Sequence, residues 1–358
     1  MTRPLRSGRN SGLVVAVTGA ADQVGAAVCR RLAGADGVRQ VVALDTHRPG
    51  VHGVTWRRAD PADPGLASAL QRVDVLVHLA VSLDPDVERA EQRQRNIRSA
   101  QVTLTAAAAT GVKHVLLLSS ARVYGALPDN PVPLPEDSDL RAQPEPSVLG
   151  DLLEIERLAR RTVRAYPHLG VAVLRPALLV GPGLEHAASG LLDGPRLLAV
   201  RGARPRWQFC HVDDLASAIE TVVLTGLTGP VTVASDGWLE QSDVEKALGR
   251  RRVELPAAVA FGTAARLQAI GVTTGPASDL AYLIHPWVVG AEKLREAGWR
   301  PVYTNAEALA TYAAGRPVIP QRLRINAKGA TAAAGATVAV VGAAALVRRA
   351  RKRRKAGG

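Results

Sequence analysis

The chain has 358 residues, enough for one large or two modest domains around a buried core. Its net charge is +13, but seven of the positive charges lie in the octet Arg348–Lys355, and no nucleic-acid-binding module is recognisable in the mildly basic remainder. The two cysteines, Cys29 and Cys210, have neither the spacing of metal ligands nor the pattern of a disulfide framework. We therefore expect neither a nucleic-acid partner nor a metal site.

The first predicted strand, Leu13–Val17, runs into a glycine turn that opens a predicted helix over Gln23–Ala33. The apolar run stops at Thr18-Gly19 and a helical period begins at Val24, a switch that is typical of a βαβ unit. Such a turn aims backbone N–H groups and a helix N-terminus at a phosphate. The sequence therefore predicts a phosphate-binding turn here.

The second predicted strand, at 41–44, is followed directly by Asp45. An acidic side chain in this place suits a bidentate contact with an adenosine ribose, which favours NAD over NADP. Two alternatives stay open. Arg48 could meet a 2′-phosphate instead, or Asp45 could simply form a turn before Thr46.

Further strands and helices alternate as a doubly wound parallel sheet requires. Strands are predicted at 54–57, 73–80, 115–120, 171–175 and 231–234, and helices at 85–110, 148–166 and 215–224. After about residue 190 the alternation weakens, and mainly helical segments are predicted to cap the sheet. The resulting division is a basic arm over 1–12, a dinucleotide-binding domain over 13–185 whose core also includes about 207–234, a substrate-capping region over 186–315 and a tail over 316–358.

The tail contains an uncharged, Ala-rich stretch of 18 residues at 330–347, predicted to be helical, directly before the basic octet 348–355. Its length reaches the membrane-spanning range, but one span would place the octet outside, against the preference of Lys and Arg for the inside. Three alternatives stay open: peripheral contact with an anionic membrane, a true anchor, or a solvated tail. No apolar signal-peptide core follows the basic arm, so we expect a cytoplasmic body.

Eight short motifs mark the chain between residue 13 and about residue 315. They are Thr18-Gly19 with Gly25, Asp45, Asp60, His78-Leu79-Ala80, Asn96, Ser119-Ser120 with Val123-Tyr124-Gly125, Arg175-Pro176 with Gly181-Pro182, and His211-Val212-Asp213-Asp214. Each is weak alone, but in this order they resemble the extended short-chain dehydrogenase/reductases, specifically the NAD-dependent epimerase/dehydratase family. By overall pattern the chain is most similar to atypical bacterial members described as UDP-glucose 4-epimerases.

The resemblance implies a Rossmann-type α/β fold, an NAD cofactor, a nucleotide-sugar substrate and a homodimer formed through the helices at 85–110 and 148–166. The cofactor-binding residues that it implies, from pyrophosphate through adenosine to nicotinamide, are Gly19, Asp22, Gln23, Val24, Gly25, Asp45, Asp60, Leu79 and Ala80. For the reacting sugar it implies Ser120 as a catalytic candidate, and Tyr124, Arg175 and Arg206 along the cleft.

One residue of the glycine turn departs from the family pattern Thr-Gly-x-x-Gly-x-x-Gly, because Asp22 stands at the middle glycine, which normally lets the backbone approach the pyrophosphate. A carboxylate adds bulk and a like charge. Two unit charges ~5 Å apart at an effective dielectric of about 20 repel by roughly 3 kcal/mol. Asp22 is also expected to cap the helix and so occupy N–H groups that a phosphate would use. Both effects predict weakened or abolished NAD binding.

The family's acid/base motif, Tyr-x-x-x-Lys, is absent from the whole sequence. Alignment through the helix at 148–166 puts Val148 at the tyrosine position and Leu152 at the lysine position. Neither side chain transfers protons, so Ser120 is retained without its proton-transfer partner.

The chain is then either an oxidoreductase with a degenerate motif or a non-catalytic relative. As an epimerase/dehydratase-like enzyme acting on a nucleotide-sugar, it would use Asp151, Glu154 or Tyr124 as a non-standard acid or base. Acidic residues in a first helical turn more often stabilise the helix through its dipole. As a non-catalytic relative, it would bind a nucleotide or nucleotide-sugar, or hold a partner protein.

Overall fold

The computed structural model describes residues 12–82, 87–182, 184, 191–192, 196–269 and 276–314. Its strands are β1 (Leu13–Thr18), β2 (Val38–Asp45), β3 (Thr55–Arg58), β4 (Val75–His78), β5 (His114–Leu118), β6 (Gly170–Pro176), β7 (Leu178–Val180), β8 (Leu197–Val200), β9 (Arg206–Trp207), β10 (Phe209–His211), β11 (Gly229–Val233), β12 (Leu239–Glu240) and β13 (Arg252–Leu255). Its α-helices are α1 (Gln23–Ala33), α2 (Leu66–Ala69), α3 (Arg89–Thr110), α4 (Val148–Ala165), α5 (Val212–Thr225), α6 (Gln241–Leu248), α7 (Ala257–Ala269), α8 (Glu292–Glu296) and α9 (Asn305–Ala314).

Seven strands of the described chain form one parallel sheet, in the order β11-β6-β5-β4-β1-β2-β3. The chain winds outward from β1 to β3, returns to β4 on the other side of β1, and winds outward again. In a sheet of this kind, ligands bind at the carboxyl ends of the strands where the winding direction reverses. The predicted doubly wound, Rossmann-type α/β fold is therefore confirmed.

Aliphatic side chains fill both faces of the sheet, as near-continuous apolar strands require. All of β1 is buried. Val15 and Val17 face a layer that contains α1 and α5, whereas Val14 and Ala16 face the layer of α3 and α4. This two-sided core fixes the carboxyl edge at which the candidate site lies.

Most predicted limits agree with the structure to within a few residues, and α1 has the predicted limits. A short strand was also predicted at the start of 207–214, and β9 and β10 lie there. The capping region differs, because its described parts contain β8, β12 and β13, paired as β12–β9 and β13–β8, where mainly helices were expected. Strands this short carry too few residues to show an alternating pattern.

Several expectations concern residues outside those described, namely the arm at 1–11, positions 85 and 86 of the predicted third helix, and the tail from 315 onward. Within the described residues, no helix is long and apolar enough to cross a membrane. α3 and α4 pack side by side in one layer. The homodimer through these helices stays a prediction, as does the division into domains.

α1 packs closely against the glycine turn because Gly25 has no side chain. A Cβ built at Gly25 would lie 2.0 Å from the carbonyl oxygen of Gly19 and 2.7 Å from Cα of Ala20. Gly19 has a φ of 68°, in the left-handed region that favours glycine. The turn and the helix can meet in this way only with glycine at both positions.

We expect Gly25→Ala to lower the free energy of unfolding by about 1–3 kcal/mol, because its methyl group must displace backbone atoms of the turn. Gly262→Ala is the matched control: it also places alanine inside a helix, but nothing lies within 4 Å of the new Cβ. Helix propensity should make that variant more stable by up to about 1 kcal/mol. Urea denaturation followed by circular dichroism measures both, and equal stability of the two variants would contradict the close packing.

Candidate functional site

The carboxyl ends of the central strands bring the glycine turn and the Leu79–Ala80 segment into contact. A Cβ built on Gly19 would lie 3.1 Å from both the backbone N and Cα of Ala80. Leu79 donates its N–H to the carbonyl oxygen of Thr18 at 3.3 Å. One ligand can therefore touch both segments, which follow β1 and β4.

Asp45, the last residue of β2, contacts the glycine turn directly. Its Oδ2 accepts the N–H of Ala21 at 3.0 Å, and its Oδ1 accepts the N–H of His47 at 3.1 Å. Asp45 therefore stabilises its own turn, which is one of the alternatives that the sequence left open. It also forms a hydrogen bond to the glycine turn. A ribose hydroxyl would have to share these two carboxylate oxygens.

Asp22 is exposed and stands directly before α1, with extended backbone angles of φ −73° and ψ 162°. Its side chain accepts no hydrogen bond at the start of the helix, so the prediction that this carboxylate caps α1 is wrong. Partial desolvation by the surrounding turn raises the pKa of Asp22, and the negative charge of Asp45 raises it further. Asp22 would therefore act on a phosphate through its charge and bulk, not by occupying helix N–H groups.

The remaining cofactor candidates lie along the same edge. Gln23 and Val24 form the first turn of α1. Asp60 follows β3, where its Oδ1 accepts the N–H of Ala62 at 2.9 Å and its Oδ2 lies 3.3 Å from Nη2 of Arg95. Asp60 is thus already paired with α3.

Two of the predicted cleft residues, Tyr124 and Arg175, lie in a buried network. Nε and Nη2 of Arg175 bind the carboxylate of Glu156 at 3.0 and 2.6 Å, and Nη1 donates to the hydroxyl of Tyr124 at 2.8 Å. The same carboxylate accepts the hydroxyl of Ser119 at 2.6 Å. The network joins β5, β6 and α4, and it turns both predicted side chains toward the interior.

The hydroxyl of Tyr124 is fully engaged. It donates to the carbonyl oxygen of Glu136 at 2.8 Å while it accepts from Arg175. Burial raises the pKa of Tyr124 to about 12. The third predicted cleft residue, Arg206, lies on β9 with its guanidinium carbon 4.7 Å from the centroid of the Trp238 ring. No hydrogen bond, ion pair or ring contact of the described residues joins it to the buried network.

The start of α4 carries no proton-transfer pair. Ser147 caps the helix by accepting the N–H of Gly150 at 3.2 Å. Val148 is half-buried, and Leu152 packs into the core with 7% of its surface exposed. The two residues that the sequence aligns with the family's tyrosine and lysine are thus aliphatic side chains at least half-buried at the start of α4.

Asp151, one of the substitutes considered for the missing base, is fully buried. Its Oδ1 lies 3.0 Å from Nη1 of Arg93, and its Oδ2 pairs with Arg89 and accepts from Nδ2 of Asn96 at 3.0 Å. A proton on this carboxylate would leave two arginines without their counter-ion. The arrangement is that of an anchor between α3 and α4, and it disfavours Asp151 as a general base.

The sequence did not connect Arg89 and Arg93 with the site. Together with Asn96 they lie at spacings of four and three residues, which put them on one face of α3. Asn96 also accepts the N–H of Ser82 at 2.8 Å and donates to its carbonyl oxygen at 3.2 Å. The sequence shows the spacing of these three residues, but their shared partner Asp151 lies 55 residues after Asn96 and could not be assigned to them from the sequence.

Ser120, the catalytic candidate, is half-buried at the end of β5. Its Oγ accepts the N–H of Arg122 at 3.3 Å and so caps the 3-10 turn Ala121–Tyr124. No hydrogen bond from the Ser120 hydroxyl to an acceptor occurs in the part of the chain described here. Its proton is therefore free to meet a ligand.

The model of the NAD-dependent epimerase/dehydratase family matches residues 15–232. The chain belongs to this family. An uncharacterized protein of Mycobacterium tuberculosis is 31% identical to it over 327 residues, which is 87% of each chain.

Solved structures of the family share the fold. The UDP-glucose 4-epimerase of Thermus thermophilus, in complex with NAD, has a TM-score of 0.62 at 20% identity and covers 85% of this chain and 98% of its own. DesIV, a dTDP-glucose 4,6-dehydratase from Streptomyces venezuelae, has a TM-score of 0.63 at 23% identity and covers 84% and 96%. The resemblance derived from the eight motifs is confirmed at the level of the family.

We expect Asp151→Asn to lower the free energy of unfolding by about 2–4 kcal/mol, because it leaves Arg89 and Arg93 without a buried counter-ion. Glu154→Gln is the matched control on the same helix, since among the described residues the ion-pair partner of Glu154 is Arg157, at 3.1 Å near the surface. That change should cost less than about 1 kcal/mol. Urea denaturation at neutral pH compares them. Similar losses in both variants would contradict the anchoring role of Asp151.

The stability of the fold should also fall in mild acid. Burial lowers the pKa values of His78 and His114 to about 4, whereas an unfolded histidine titrates near 6.5. The unfolded state therefore binds more protons than the native state between those pH values, and stabilisation present above pH 6.5 is lost as the pH falls toward 4. Urea midpoints measured from pH 7.5 to 4.5 test this, and a flat profile would contradict it.

Proposed function

We propose that this protein binds a nucleotide-sugar at the carboxyl edge of its sheet, with a weakened NAD site and without the acid/base chemistry of its family. The start of α4 carries the proposal. Val148 and Leu152 stand where a tyrosine and a lysine would transfer protons, and the neighbouring Asp151 is held by two arginines. The family match and the nucleotide-sugar enzymes with this fold support the ligand class.

The weakened NAD site follows from two adjacent carboxylates. Asp22 occupies the place of the glycine that normally lets the backbone approach a pyrophosphate, and Asp45 is close enough to raise its pKa. A dinucleotide would bring two further negative charges to this edge. Gly19, Gly25 and the Leu79–Ala80 segment retain the shape of the turn, so charge and bulk at Asp22 are the main obstacles.

The second candidate function is an epimerase/dehydratase-like oxidoreductase with a non-standard acid or base. Ser120 favours it, because its half-buried hydroxyl stands just after β5 and has no acceptor among the residues that the structure describes. Such a reaction transfers a hydride to NAD and needs a group that accepts the substrate's hydroxyl proton. Of the three substitutes, Asp151 is ion-paired in the interior, Glu154 is paired with Arg157 near the surface, and the hydroxyl of Tyr124 already donates its proton.

Calorimetric titration of NAD⁺ into the full-length protein tests the cofactor site. We expect weak or no binding to the wild type, partial recovery in Asp22→Asn, which removes the charge, and fuller recovery in Asp22→Gly, which removes the bulk as well. Because the pKa of Asp22 is raised, wild-type affinity should increase as the pH is lowered through that pKa. Asp22→Asn should lack this increase. Micromolar binding by the wild type at neutral pH would contradict the weakened site.

The same titrations with UDP-glucose and dTDP-glucose test the proposed ligand class, and the Asp22 variants serve as controls because they should bind these compounds like the wild type. Activity is tested by incubating the protein with NAD⁺ and each sugar nucleotide and following the sugar by NMR. We expect binding without conversion. Conversion by the wild type would establish the second candidate function, and failure to bind either compound would overturn the proposal.

A further inference from the structure

Arg122 lies on the same turn as Ser120 and is unused by the family motifs. Its backbone N–H donates to Ser120 Oγ at 3.3 Å, so one short 3-10 turn positions both residues. The Arg122 side chain is 13% exposed. A mostly buried guanidinium thus stands two residues from the hydroxyl that marks the proposed sugar site.

The segment Ala277–Leu283 holds one edge and one face of this guanidinium. Nη2 of Arg122 lies 2.5 Å from Oδ1 of Asp279, and the guanidinium carbon lies 4.4 Å from the centroid of the Tyr282 ring. The hydroxyl of Tyr282 donates to the carbonyl oxygen of Arg122 at 2.6 Å. Ser278 extends the contact by donating to Glu145 at 2.7 Å.

The Nε–H donor of Arg122 is buried and has no acceptor among the described residues. Arginine keeps its charge at all ordinary pH values, and leaving one of its donors buried and unpaired is costly. Arg175 shows the contrast within this chain, since its Nε, Nη1 and Nη2 all have partners. An acceptor carried by a ligand would satisfy this donor. The buried Nε of Arg89 also has no acceptor among the described residues, but Arg89 pairs with the fully buried carboxylate of Asp151, whereas Asp279 beside Arg122 is partly exposed.

We propose that Arg122 selects for a carboxylate on the sugar of the bound nucleotide-sugar, as in a nucleotide-linked uronic acid, with Asp279 as its counter-ion in the ligand-free state. The proposal rests on the proposed function and on the family resemblance, which implies that the sugar lies beside Ser120. A carboxylate fits because its two oxygens match adjacent N–H groups of a guanidinium, and such charged hydrogen bonds are strong. A neutral hydroxymethyl group would leave Nε weakly satisfied.

Calorimetric titration with UDP-glucuronic acid, UDP-glucose and UDP tests this in the full-length protein. We expect the wild type to bind UDP-glucuronic acid about tenfold or more tighter than UDP-glucose, as a charge-assisted pair implies. Arg122→Gln should abolish that preference while affinity for UDP-glucose stays within about twofold. Asp279→Asn should enlarge the preference, because the competing carboxylate is gone.

Asp129→Asn is the matched control, because Asp129 forms a similar pair with Arg141, at 2.7 Å on the surface. It should leave the preference unchanged. If Arg122→Gln does not fold, Asp279→Asn still tests the proposal. If the Arg122–Asp279 pair only stabilised the turn, Asp279→Asn would lower the thermal stability without changing the preference for UDP-glucuronic acid.

Three results overturn the inference. The first is equal wild-type affinity for UDP-glucuronic acid and UDP-glucose. The second is an equal loss of affinity for all three ligands in Arg122→Gln, which would mean that Arg122 contacts the diphosphate or only stabilises the turn. The third is an unchanged preference for UDP-glucuronic acid in Asp279→Asn. If UDP-glucose binds without a preference, this inference alone fails. If neither sugar nucleotide binds, the proposed function fails with it.

Discussion

The buried carboxylate of Asp151 holds together the segments that border the site. It joins α4 to α3 through Arg89 and Arg93, and through Asn96 it reaches Ser82, just beyond the Leu79–Ala80 segment. A charge this deeply buried is tolerated only where its partners are fixed. The same constraint fixes the position of α3 against α4 at this edge of the sheet and disfavours Asp151 as an acid or base.

The carboxylates around this edge have opposite environments, and that contrast organises the site. Asp151 and Glu156 are buried, and each is neutralised by arginine. Asp22 and Asp45 stand exposed or half-exposed beside each other, with no ion-pair partner in the described residues. The scaffold carboxylates, like Asp60 with Arg95, are thus paired with arginine, whereas the two carboxylates at the glycine turn are not. The unpaired carboxylates at the glycine turn agree with the weakened dinucleotide site that we propose, and the ion-paired Asp151 agrees with the proposed absence of proton transfer.

The features of the fold that follow from hydrophobic periodicity and from glycine positions were predictable from the sequence. The apolar runs predicted the parallel sheet, and the glycine turn predicted α1, whereas the close packing of α1 against the turn at Gly25 was found only in the structure. The interior orientation of Tyr124 and Arg175 was beyond it, because a motif places a residue on an element without saying which way its side chain points. Glu156, which pairs with Arg175, and Asp279, which pairs with Arg122, both come from segments distant in the sequence. The predicted cap at Asp22 failed because a favourable residue type does not fix the rotamer.

If the proposed function holds, the engaged hydroxyl of Tyr124 bears on how acid/base catalysis could arise again on this scaffold during evolution. Its proton points to a main-chain carbonyl, and its lone pair receives a guanidinium donor. To serve as an acid or base, the Tyr124 hydroxyl would first have to leave the buried network that joins β5, β6 and α4, which would cost stability before any gain in turnover. The accessible route runs instead through Val148 and Leu152, which must both change. Starting from this arrangement, the family's acid/base pair is restored only by two replacements, and neither replacement alone supplies the pair.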